Sequence, residues 1–99
     1  MGESISRRPV KIAVVDLATD ADVVVTANPA ELLGIYVSVV TSAHVNLIKN
    51  DTTTMITIPV SQAAGTNLNC YGVTFSTNIT VESNDAATGT LVVFYRGIS

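Results

Sequence analysis

Short runs rich in Val, Ile and Thr recur about every ten residues along this chain, and polar turns separate them. β-Branched side chains favour strands over helices, and runs of four to eight such residues have the length of a strand. This pattern predicts eight strands, at residues 10–16, 22–27, 33–40, 43–49, 53–59, 71–76, 79–82 and 90–96. Strands at this spacing, with no segment that favours a long helix, indicate an all-β sandwich or barrel.

The centre of the chain, residues 33–60, predicts three consecutive antiparallel strands with corners at 41–42 and 50–52. The longest irregular stretch, residues 61–70, contains Gly65 and two Asn residues, and we expect it to cross from one sheet to the other. Eight strands suit an antiparallel β-sandwich of the jelly-roll type, with two facing sheets of four. An immunoglobulin-like sandwich is the alternative, although the Cys…Trp…Cys signature of that fold is missing.

Alternation along the strands predicts which side chains face the core. In the strand at residues 71–76, Tyr71, Val73 and Phe75 are expected to point inward. The strand at residues 10–16 is largely apolar on both of its faces, which predicts a strand that is buried on both sides.

The composition is unusually poor in charge. Charged residues make up 13% of the chain, against about 25% in an ordinary soluble domain, and hydrophobic residues make up 47%. Apolar patches on a charge-poor surface favour association, so we expect part of this surface to be covered by neighbouring molecules. A Thr-rich sheet that simply carries few charges is the alternative interpretation.

The positive charges are concentrated at the N-terminus. Arg7, Arg8 and Lys11 are three of the five Lys and Arg residues, and the remainder of the chain is acidic. We therefore divide the chain into a basic arm, residues 1–9, and a single sandwich domain, residues 10–99. An acidic body argues against a nucleic-acid partner. The arm is either a solvated terminus or a segment that docks on an acidic neighbour.

The residues offer little for catalysis or metal binding. The only histidine, His44, has no nucleophile motif near it, and the only cysteine, Cys70, is expected to be a small buried apolar side chain. Asp16, Asp20 and Asp22 carry oxygen ligands of the kind that calcium prefers, but their spacing matches no known calcium loop. We expect no enzyme activity, no metal and no cofactor. No apolar stretch is long enough to predict a membrane span.

Several segments resemble one family of proteins. They are Leu33-Gly34-Ile35-Tyr36-Val37, Thr57-Ile58-Pro59, Gly72-Val73-Thr74-Phe75-Ser76-Thr77, Ile79-Thr80-Val81 and Leu91-Val92-Val93-Phe94-Tyr95. Together they resemble the small β-sandwich structural proteins of tailed bacteriophage virions, among them the capsid decoration, or cement, proteins. The resemblance spans residues 22–96. Relatives often have Gly where Asn78 stands, and Asn tolerates the same left-handed corner.

The resemblance implies a structural protein, made in the host cytoplasm and placed on the exterior of the capsid. Such a protein binds and bridges subunits of the major capsid protein, often as a homotrimer, and stabilises the head by adding interfaces. Because aromatic residues are enriched at interfaces, Tyr36, Phe94 and Tyr95 are candidate contacts. Arg7, Arg8 and Lys11 are candidates within or beside the arm.

Two other functions fit the same features. One is a different virion component, at the neck, the tail or a receptor-binding fibre. The other is a jelly-roll carbohydrate-binding module, for which Tyr36, Tyr71 and Tyr95 are the available aromatic side chains.

Overall fold

The computed structural model describes residues 8–19, 22–83 and 86–98, and this part of the chain contains eight β-strands. The strands are β1 (Lys11–Asp16), β2 (Val23–Thr26), β3 (Ala30–Val39), β4 (Asn46–Asn50), β5 (Thr53–Ile58), β6 (Asn67–Phe75), β7 (Ile79–Glu82) and β8 (Thr90–Gly97). A single 3₁₀ turn, Leu17–Thr19, follows β1. The prediction of an all-β chain is confirmed, since the described residues contain no α-helix.

The strands form two four-stranded antiparallel sheets, which we call sheet A and sheet B. The strand order is β1-β8-β3-β6 in sheet A and β2-β7-β4-β5 in sheet B. Four of the ladders join strands whose numbers add to nine, namely β1 with β8, β2 with β7, β3 with β6 and β4 with β5. The chain is thus paired like one long hairpin folded over into two sheets.

The connections correct one prediction. Among the described strands, only β4 and β5 are neighbours both in sequence and within a sheet, so the predicted hairpin across residues 33–49 is wrong. The connection at 41–42 instead passes to the other sheet. There Thr41 is buried, its N–H donates to Gln62 O at 2.9 Å, and its Oγ1 accepts from Gln62 N at 2.7 Å. The predicted crossover between sheets is confirmed, because β5 lies in sheet B and β6 in sheet A, but it is shorter than predicted, since residues 67–70 belong to β6.

One hydrophobic cluster lies between the two sheets and draws side chains from both. Its fully buried members include Phe75, Leu32, Ile35, Val37, Leu91 and Val93 from sheet A, and Ile48, Ile58, Ile79 and Val81 from sheet B. Burying a side chain of this size contributes roughly 1.5–3 kcal/mol. The shared core gives the molecule a β-sandwich-like architecture.

A bulge in β6 turns one aromatic side chain out of the fold. Leu32 pairs with Val73 and Gly34 pairs with Asn69, so three residues of β6 lie opposite one residue of β3. Tyr71 lies in this bulge at φ 56°, and its side chain is 87% exposed. The prediction that Tyr71 points inward is therefore wrong, because alternation does not continue across inserted residues.

Two asparagines tie the turn between β4 and β5 to the corner between β6 and β7. Asn50 Oδ1 accepts from Thr77 N at 2.9 Å, and Asn50 Nδ2 donates to Ser76 Oγ at 3.0 Å. In return, Asn78 Oδ1 accepts from Asp51 N at 2.9 Å. Asn78 does not have a positive φ, which corrects the expectation of a left-handed corner there. The side chain of Asn78 holds the corner through hydrogen bonds instead: its Oδ1 accepts from Asp51 N and from Thr80 Oγ1.

Replacing Asn50 by Ala is expected to destabilise the fold by about 1–2 kcal/mol, since several partly solvated hydrogen bonds at about 1 kcal/mol each are lost together. Urea unfolding followed by circular dichroism measures this change. Asn28→Ala is the matched control, because the bond from Asn28 N to Thr26 Oγ1 survives that substitution. Equal stabilities for the two variants would contradict the coupling of the two loops.

Candidate interaction surface

The outer face of sheet A carries a continuous apolar surface. Val14, Val92 and Tyr36 are register partners across three adjacent strands, and Ile12, Phe94 and Gly34 form the next row. Directly opposed residues in such ladders have Cβ atoms about 4.5–5.5 Å apart, so the side chains of neighbouring strands touch. We call the surface formed by Ile12, Val14, Tyr36, Val92 and Phe94 the A face.

The most exposed part of the A face lies on β1, which is an edge strand. Val14 is 69% exposed and Ile12 is 61% exposed, and Val10 just before the strand is 47% exposed. The prediction that this strand is buried on both sides is wrong, because β1 has a neighbour only in β8 and nothing in the described structure covers its outer face. Exposed apolar side chains on an unpaired strand edge favour association.

The outer face of sheet B, which we call the B face, differs in composition. Lys49, Thr80 and Glu82 lie at its centre, and Lys49 Nζ donates to Glu82 Oε2 at 2.7 Å. This hydrogen bond raises the pKa of Lys49, which keeps the ammonium group charged. Its apolar members are separated by polar partners: Val24 pairs with Thr80, and Leu47 lies between Glu82 and Thr57.

The three aromatic candidates fall on two sides of sheet A. Tyr36 and Phe94 are partly buried and lie on the A face, beside Val92 and Ile12 respectively. Tyr95 has the opposite orientation, because it is the register partner of the buried Leu32 and packs against the core. The interface roles of all three residues stay predictions.

The basic candidates are only partly described. Arg7 lies outside the described residues. Arg8 is partly buried, and Lys11 is exposed at the start of β1, where it pairs with Tyr95 in the ladder. As the register partner of Tyr95, Lys11 lies on the side of sheet A opposite the A face.

An ion pair lies at one end of the A face. Glu31 and Arg96 are register partners in β3 and β8, and Arg96 Nη1 lies 3.2 Å from Glu31 Oε1. Both side chains are largely covered, with 16% and 20% of their surfaces exposed. The pairing neutralises both charges, so this end of sheet A adds little net charge to the apolar surface.

A groove of about 590 Å³ opens between β5 and β6, the edge strands of the two sheets. The described residues in its lining are apolar or uncharged polar, with two carboxamides and one exposed aromatic ring: Ile56, Thr57, Pro59, Asn67, Leu68, Asn69, Cys70, Tyr71 and Val73. In sheet A the order β1-β8-β3-β6 places this groove at the edge opposite β1. The groove and the exposed part of the A face are therefore separate surfaces.

Cys70 is a buried free thiol in the wall of this groove, and burial raises its pKa. A raised pKa leaves less thiolate at any given pH, and the thiolate is the form that reacts. We expect iodoacetamide to alkylate Cys70 at pH 8 at least about tenfold more slowly in the folded protein than in urea. Mass spectrometry of quenched samples gives both rates. Equal rates would contradict the burial of the thiol.

The described residues offer few groups for chemistry. No three His, Cys, Asp or Glu side chains among them come together in a way that could hold a metal ion. Asp16 Oδ1 accepts from Ala18 N at 3.0 Å, Asp22 is exposed, and Asp20 lies outside the described residues. His44 lies in a bend before β4, not in a strand as predicted. No helix in the described part of the chain is long and apolar enough to cross a membrane.

Fold and surface together define a small all-β protein whose two outer faces differ in polarity. Comparison with known proteins adds no relative: no family model, no curated protein and no solved structure matches this chain. The resemblance to phage virion proteins, the capsid partner and the absence of catalysis thus stay predictions.

Proposed function

We propose that this chain is a virion structural protein of a tailed bacteriophage, a capsid decoration protein that docks on the major capsid protein through the A face. In this role it binds on the exterior of the head and bridges neighbouring capsid subunits. It acts by covering surface, so it needs neither a catalytic group nor a cofactor. The added interfaces stabilise the assembled head by mass action.

The strand order supports a jelly-roll assignment within this proposal. The orders β1-β8-β3-β6 and β2-β7-β4-β5, with paired strands whose numbers add to nine, are the orders expected when an eight-stranded chain rolls up as a double Greek key. Jelly rolls are common in viral capsid proteins and in lectins. A fold alone does not determine a function, so the surface has to supply the stronger argument.

The observation that carries the proposal is the difference between the two outer faces. On the A face, Ile12 and Val14 are 61% and 69% exposed and continue into Val92, Phe94 and Tyr36. On the B face, Lys49 and Glu82 form an ion pair among threonines. Apolar patches of this kind mark sites of interaction in small proteins, whereas a polar face of threonines and ion pairs tolerates water.

The arm and the oligomeric state complete the proposal. We assign residues 1–9, with Arg7 and Arg8, to contacts with acidic parts of a neighbouring subunit. We also assign a homotrimer, which would place three A faces on the head together. Light scattering should then give a mass near three times 10.3 kDa.

The experiment is to purify virions whose genome encodes this chain and to quantify their proteins by mass spectrometry. We expect the chain in amounts comparable to the major capsid protein. We also expect it to co-sediment with heads after tails are removed. Recovery of the chain with tail or neck fractions would mean that it is another virion component and not a capsid decoration protein. Its absence from the particle would overturn the proposal.

A further inference from the structure

We propose that the groove between β5 and β6 binds a neutral oligosaccharide, with a sugar ring stacked on Tyr71. This site lies at the edge of sheet A opposite β1, which carries the most exposed part of the A face. The proposal goes beyond the docking function and does not depend on it. A head-bound protein that docks through β1 and β8 leaves the opposite edge of the sheet accessible.

Tyr71 is held in an unusual backbone conformation that exposes its ring. A bulky residue at φ 56° is an outlier, and such a conformation costs on the order of 1–3 kcal/mol. The bulge is held by a hydrogen bond of 2.9 Å from Tyr71 N to Asn69 Oδ1 and by Gly72 at φ 70°. The result is an aromatic ring that is 87% exposed on the rim of a groove. Bulges frequently re-aim a side chain beside a functional site.

The groove is lined by apolar and uncharged polar side chains. Among the described residues, no charged side chain lines the groove, so none of them offers an ion-pair partner for a phosphate, a carboxylate or an ammonium group. Asn67, Asn69 and Thr57 supply amide and hydroxyl groups that match sugar hydroxyls. Leu68 and Val73 supply an apolar floor beside the ring. An apolar lining with a few polar groups and a volume of about 590 Å³ is typical of small-molecule sites.

The bulge in β6 disfavours an added peptide strand along this edge of the groove. A peptide that extends a sheet needs an uninterrupted edge of backbone donors and acceptors. Between Asn69 and Val73, the edge strand β6 does not pair regularly with β3, because the bulge inserts extra residues there. Such bulges protect strand edges from further pairing. The groove therefore suits a compact ligand better than an extended chain.

The test is an array of immobilised glucose, galactose, mannose and N-acetylglucosamine oligomers, with sialylated and uronic-acid oligomers beside them. The full-length protein is applied as wild type and as two variants. Tyr71→Phe keeps the ring. Tyr71→Asn removes the ring but suits the left-handed backbone, so it is expected to fold at least as stably as the wild type. Thermal unfolding of both variants checks this point.

We expect the wild type and Tyr71→Phe to bind the same neutral oligomer, and Tyr71→Asn to bind it at least about tenfold more weakly. The bound oligomer should also slow alkylation of Cys70, which lies in the same groove. Binding to none of the neutral oligomers, a preference for the charged ones, or undiminished binding by Tyr71→Asn would each overturn the proposal. None of these results depends on phage heads, so failure here is distinct from failure of the proposed function.

Discussion

Replacing Val14 by Asp is expected to weaken binding of the protein to phage heads about 100-fold, which corresponds to about 2.7 kcal/mol. Val14 is 69% exposed in the free chain and lies in the A face beside Val92. If docking covers this side chain, the variant loses apolar burial of about 1.5–3 kcal/mol and forces a carboxylate out of water. Sedimentation of recombinant protein with heads that lack it measures the change in Kd.

Val24→Asp is the matched control for this prediction. Val24 is also an exposed valine on an edge strand, 57% exposed on β2, but it lies on the B face. The two substitutions therefore carry a similar cost in strand propensity, up to about 1 kcal/mol each. We expect Val24→Asp to bind heads within about twofold of the wild type. Equal losses for the two variants would contradict docking through the A face.

The largest effect on folding is expected at Gly89, where Gly89→Ala should destabilise the protein by about 3–4 kcal/mol. Gly89 has φ 114°, which L side chains rarely adopt. A Cβ built there would lie 2.8 Å from Val40 O and 2.9 Å from Thr41 Cα. Both are backbone atoms in the connection just after β3, so they cannot move aside as a flexible side chain would. The total stability of a domain of this size is only about 5–15 kcal/mol.

Gly65→Ala separates the clash from the backbone strain. Gly65 also has a positive φ, 91°, but a Cβ there would meet no atom within 4 Å. This variant should lose only the conformational cost, about 1–2 kcal/mol. Urea unfolding of both variants, with the slope of the transition compared as well as its midpoint, gives the difference. Similar losses of stability in the two variants would contradict the close approach of the Val40 and Thr41 backbone to Gly89.

The local part of the fold could be predicted from alternation and spacing. Alternation in β8 puts Leu91 and Val93 on one face, and the structure buries both; in β7 it buries Ile79 and Val81. Neither strand has an inserted residue, so each side chain keeps its face along the strand. The number of strands followed from the same pattern.

The pairing of the strands could not be predicted from local sequence, because a sheet is joined by contacts between distant residues. A short polar segment such as Thr41-Ser42 fits a hairpin turn, and only its hydrogen bonds to Gln62 show that it passes between sheets. Similarly, apolar residues on both faces of β1 are compatible with a central strand. The order of sheet A makes β1 an edge strand instead.

The residues of the A face could be predicted in part from the sequence, whereas the exposed ring beside the groove could not. Aromatic character is enough to predict Tyr36 and Phe94 as contacts, whereas the prediction of a doubly buried strand places Ile12 and Val14 inside the fold, where the structure exposes them. Alternation continued through β6 predicts that Tyr71 points to the core, but the bulge inserts extra residues there and reverses its direction. The sequence feature that could have revealed it is Gly72, since a glycine inside a strand often marks a bulge.

The most direct test of the central claim is a cryo-electron microscopy reconstruction of heads from virions whose genome encodes this chain. We predict density for an eight-stranded sandwich on the capsid exterior, with the A face against the major capsid protein and the B face toward solvent. Substituting Asp at Val14 should remove that density. A head without this density, or one in which the B face forms the contact, would contradict the account.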